Sequence, residues 1–178
     1  KLAAHTHRMQ VLDAWDIEGA EAAVDAALAA APDDPALLFA KGRVAFENGE
    51  YQAAVDLFER ALGPDAKRTD DWKLAVGALE ESRNTVTEES AHFVFRYRPG
   101  RDAALIPYAM PALEAAYDAL TKDLGYAPPR KVRVEFIGSP KVLANISSLT
   151  LEAVKTTGTI AAGSASLWSR YPMATGRG

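Results

Sequence analysis

An internal period of 34 residues constrains this chain more than any other feature of its sequence. Residues 1–34 align without a gap on residues 35–68, placing Ala20 over Ala54, Ala27 over Ala61 and Leu28 over Leu62. The same register sets Asp16-Ile17-Glu18 over Glu50-Tyr51-Gln52. A fixed period of this length marks stacked supersecondary units, none of which buries its apolar face alone. Small residues recur where two helices would cross. Pro32-Asp33-Asp34-Pro35 has the composition of a turn followed by a helix start.

In the second unit Gly42 occupies the small position of the first helix, Gly49 and Tyr51 mark the turn, and Ala54, Phe58 and Ala61 face inward from the second helix. This pattern resembles the tetratricopeptide repeat family. Gly42 and Ala54 let two backbones approach, while Phe58 and Leu62 fill the groove between units. Trp72, Ala75 and Leu79 fall at matching offsets in a third unit, so residues 69–83 are expected to form a helix that caps the array. The first unit departs from the pattern, with His7 and Arg8 at its Leu and Gly positions. The resemblance implies binding of a protein or peptide, or a scaffold that buttresses the domain behind it. No Lys or Arg clamp for a peptide carboxylate is evident in this stretch.

Composition narrows the remaining classes. At 178 residues, 48% hydrophobic and 25% charged, the chain is globular material sufficient for two small domains. A net charge of −4 argues against non-specific nucleic-acid binding, which depends on cations neutralising phosphates. The absence of cysteine excludes disulfides, a thiolate nucleophile and Cys-ligated zinc. No run of 18 apolar residues suggests a membrane segment. The start KLAAHTHRMQ and the tail TGRG suggest that further chain precedes and follows.

From Ser90 the periodicity changes from helical to alternating. Phe93, Phe95 and Tyr97 share one face of an expected strand over residues 91–98, with His92 on its outward face. A helix is expected from Asp102 to Leu124, its stripe formed by Ile106, Met110, Leu113, Tyr117, Leu120 and Leu124. Pro107 and Pro111 should restrict or kink its first turns. Gly125 caps the helix, and Lys131 to Ile137 supplies a second strand with Val132, Val134 and Phe136 inward. Strand, helix and strand in this order predict a parallel pair. A helical or irregular segment is expected over residues 139–154 and a further strand near 157–162. The fold class is therefore α+β, with helical repeats over residues 1–83, a linker over 84–90 and a mixed domain over 91–178.

The order HFVFRY, Pro-Gly, LEAAYDAL, LGYAPP, KVRVEF and SLTLEAVKTTGTIAA resembles the amino-terminal half of the peptidase MA-like domain. That resemblance implies a zincin-like subdomain of a bacterial zinc-dependent metallopeptidase of the gluzincin type, with zinc as the cofactor of the full-length member. In that family a His-Glu-x-x-His helix holds the metal and supplies the general base. This chain has no such motif, and its histidines are His5, His7 and His92. No catalytic or metal-binding residue is therefore assigned, and the chain itself is expected to be inactive. Gly163-Ser164-Ala165-Ser166 lacks the spacing of a nucleophile elbow. The resemblance implies that Gly158, Thr159, Ile160, Ala161 and Ala162 form a strand to which a substrate peptide adds as a further strand. The alternative is a repeat scaffold carrying a degenerate, non-enzymatic relative of that domain.

Overall fold

A computed structural model describes residues 17–100, 102–146 and 152. These fall into two compact units, residues 17–76 and 77–152, with the division inside a helix.

The first unit is helical. Helix α1 (Ile17–Ala30) and helix α2 (Pro35–Glu47) flank the turn at Pro32 to Asp34, and α3 (Tyr51–Leu62) follows after a second turn. Asp34 starts α2 because its Oδ1 accepts from the N–H groups of Ala36 at 2.9 Å and Leu37 at 3.3 Å. Pro35 adds a preset φ at a position whose missing N–H costs nothing. Gly49 closes α2 at φ 76, a left-handed value that suits glycine. Its N–H donates to Phe46 O at 2.9 Å, and that of Glu50 donates to Ala45 O at 2.8 Å. Between α1 and α2, Ala20, Val24, Ala40 and Val44 form a buried cluster joined by Leu28. Between α2 and α3, the Phe58 ring lies against Gly42.

A 3-10 helix (Gly63–Arg68) leads to α4 (Asp70–Ser82). Thr69 Oγ1 accepts from Trp72 N–H at 3.3 Å, and Asp70 and Asp71 in the first turn complement the helix dipole. The adjacent acids are thus helix-start charges.

The second unit holds a three-stranded sheet in the order β1 (Val86–Glu89), β2 (Phe93–Tyr97), β3 (Val132–Glu135). Strand β2 pairs antiparallel with β1, Val86 facing Tyr97, and parallel with β3, Phe93 facing Val132. The parallel pair matches the expectation from strand, helix and strand. Strand β1 lies within the stretch read from sequence as a connection. Its four residues are all exposed, so it carries no alternation of apolar and polar side chains.

A short 3-10 turn (Asp102–Leu105) precedes α5 (Ile106–Leu124), which covers one face of the sheet. The regular helix thus starts four residues later than the expected Asp102, with Pro107 in its first turn, while Pro111 is accommodated inside it. Gly125 ends it in the left-handed conformation at φ 63, donating to Thr121 O at 3.0 Å. Phe93, Phe95, Tyr97, Ile106 and Val132 form the buried core, with Met110, Leu113, Tyr117, Val134 and Phe136 packed around it. Leu120 and Leu124, which continue the sequence stripe, are exposed. Helix α6 (Pro140–Ile146) takes part of the segment expected to be helical or irregular. The strand expected near residues 157–162 lies outside the described residues.

Candidate functional site

The repeat helices expose polar faces whose cations are tied to neighbouring acids. Residues 17–76 hold twelve Asp and Glu against six Lys and Arg. Lys41 on α2 reaches back to α1, with Nζ 2.8 Å from Asp25 and 3.4 Å from Glu21. Partial burial works to lower the Lys41 pKa, but the hydrogen bond and charge of Asp25, together with Glu21, outweigh it and raise the value. Glu21 also accepts from Asn48 Nδ2 at 3.3 Å. Arg43 lies 3.8 Å from Asp71 at the start of α4, and Trp72 Nε1 donates to Glu59 on α3 at 3.1 Å. Lys41 and Arg43 thus stitch adjacent helices together.

The helix pairs joined by tight turns, with a small residue under the crossing, satisfy the pattern set by the 34-residue period. Residues 11–82 match the tetratricopeptide repeat family. Arrays of this family typically bind proteins or peptides on their helix faces. No curated protein and no solved structure matches the chain. Among the described residues no helix is long and apolar enough to cross a membrane.

In the second unit the densest polar contact joins the β1–β2 turn to α5. The Ser90 hydroxyl donates to Glu114 Oε1, the His92 backbone N–H donates to the same oxygen at 2.9 Å, and His92 Nδ1 lies 2.6 Å from Glu114 Oε2. These donors, Ser90 first and then His92, hold the Glu114 carboxyl at a pKa of about 2. An ionised carboxylate only accepts, so Nδ1 carries the proton of that contact. The imidazole also stacks on Tyr117, with ring centroids 3.9 Å apart.

This trio contains Ser, His and Glu, but its connectivity is not that of an activated nucleophile. The Ser90 hydroxyl donates to the carboxylate rather than to the imidazole, and a carboxyl group held at a pKa of about 2 is too weak a base to activate it. The arrangement fastens a turn to a helix. His92 precedes β2 and turns toward α5, rather than lying on the outward face of the strand as the sequence suggests.

Sequence reasoning passed over Glu114, although one signal was present. It stands four residues after Met110 and three before Tyr117, placing a charge on the core-facing stripe, where an acid needs partners. Gly158, Thr159, Ile160, Ala161 and Ala162 lie outside the described residues, as do His5, His7 and Gly163 to Ser166. Among the described residues no group of three His, Cys, Asp or Glu side chains is placed to hold a metal ion.

Proposed function

We propose that this chain is a protein-interaction scaffold whose repeat region engages a protein or peptide partner and carries a mixed α+β domain behind it. The observation that supports this reading is the repeat match over residues 11–82, joined to helix hairpins whose turns and crossings follow the family pattern. Panning the full chain against a random peptide display library tests it. Enrichment of a related peptide set, with micromolar binding in solution, is expected. Failure to enrich any set under conditions where a control repeat protein does so would reject the proposal.

A second reading gives the mixed domain a role in proteolysis, as the front part of a gluzincin-type peptidase over residues 91–178. The parallel β2–β3 pair with α5 between its strands is compatible with the segment order from which that resemblance was drawn. The described residues do not supply a zinc site, so no chemical step is assigned to them. In this reading Gly158 to Ala162 offer a backbone edge to an extended peptide, small residues permitting close approach. Zinc and its general base would belong to chain following residue 178. Reading the coding frame beyond that residue decides the matter: a His-Glu-x-x-His helix is expected downstream, and its absence leaves the scaffold reading with a non-enzymatic second domain.

A further inference from the structure

A cavity of about 290 Å³ opens at the carboxyl ends of the two parallel strands, between the segments that follow β2 and β3. Open α/β sheets place ligands outside the carboxyl ends of their strands. The volume lies just under the ordinary range of about 300–1,000 Å³ for ligand pockets, so it suits a group the size of one side chain.

Its electrostatics follow from which charges already have partners. Glu81, 8% exposed, accepts both prongs of Arg98, Nε at 2.7 Å and Nη2 at 2.5 Å. With its fork engaged, Arg98 is poorly placed to take an anion. Asp102 and Ser139 line the same cavity, and the Asp102 carboxylate, which has no side-chain hydrogen bond among the described residues, acts on Arg98 through its charge alone. A Cβ on residue 138 would stand 3.4 Å from Asp102 Oδ2, an ordinary contact, so the segments after β2 and β3 meet at this wall. Among the described residues that line it, two carboxylates and one guanidinium give a net negative charge. Pro99 and Val142 add apolar surface beside these polar groups.

We propose that this cavity binds an alkylammonium group, its nitrogen between Asp102 and Ser139 and its carbon stem along Pro99 and Val142. A compact ammonium has three donors for such acceptors, and its methylenes favour an apolar wall. The group belongs to a lysine side chain or a peptide amino terminus. The assignment is independent of whether the repeat region binds a partner.

The test is an NMR titration of the full 178-residue chain with Nα-acetyl-lysine methylamide, its norleucine counterpart and glycine amide. Saturable shifts at the amides of Asp102, Gly138 and Ser139 are expected with an ammonium probe and not with norleucine. The lysine derivative acting alone identifies a side chain as the source, and glycine amide acting identifies a chain terminus. Asp102→Asn should weaken binding about tenfold or more, as expected for loss of a charged hydrogen-bond acceptor. Norleucine binding as well as lysine, neither ammonium probe shifting these amides, or a folded Asp102→Asn variant binding as the parent does would overturn the proposal.

Discussion

The ring of Phe58 occupies the space in which a side chain at residue 42 would begin. A Cβ built on Gly42 falls 2.6 Å from Phe58 Cε1 and 2.7 Å from Cδ1, inside any contact that carbon atoms tolerate. Phe58 is itself 1% exposed and packs on Phe39 at a centroid distance of 4.9 Å, so it has little room to retreat. The small residue and the large one are a matched pair across the α2–α3 crossing.

Gly42→Ala should therefore destabilise the repeat region. Alanine favours a helix over glycine by about 1 kcal/mol, whereas overpacking costs about 1–3 kcal/mol, so the clash prevails. Urea denaturation should show a lower midpoint. In combination with Phe58→Leu, Gly42→Ala should cost less than it does alone. Additive losses would mean that the contact does not govern the crossing.

Removing the cap of α2 is a milder perturbation. Asp34→Ala leaves the Ala36 and Leu37 N–H groups without their side-chain acceptor and should cost about 0.5–2 kcal/mol. Asp34→Ser, which keeps an acceptor oxygen, should recover most of that loss in the same unfolding measurement.

The Glu114 contact predicts a pH dependence of defined sign. Its folded pKa of about 2 lies below the ordinary value of 4.5, so the stability it contributes is fully present above about pH 4.5 and disappears as pH falls toward 2. The stability difference between the parent chain and Glu114→Gln should shrink across that window. A difference that stays constant from pH 6 to the acid limit would show that ionised Glu114 gains nothing from Ser90 and His92.

The repeat architecture was legible because close helix crossings demand small residues at fixed spacing, and Gly42, Ala20 and Ala54 recorded that demand directly. The parallel β2–β3 pair was legible from connection length. Strand β1 was not, since an exposed four-residue strand with two glutamates is held by ladder bonds to β2 rather than by a buried face. The apolar stripe of α5 overstated burial for a geometric reason. Nineteen helical residues span roughly 28 Å at 1.5 Å each, while five-residue β2 spans roughly 17 Å, so Leu120 and Leu124 extend past the strands. Glu114 needed three dimensions, because its partners Ser90 and His92 lie 24 and 22 residues away.

Hydrogen–deuterium exchange on the full chain, with and without a display-selected peptide at saturation, tests the scaffold assignment most directly. The account predicts slowed exchange concentrated in peptides covering residues 17–82. Protection confined to residues beyond 82, with the repeat helices exchanging as in the free chain, would contradict it.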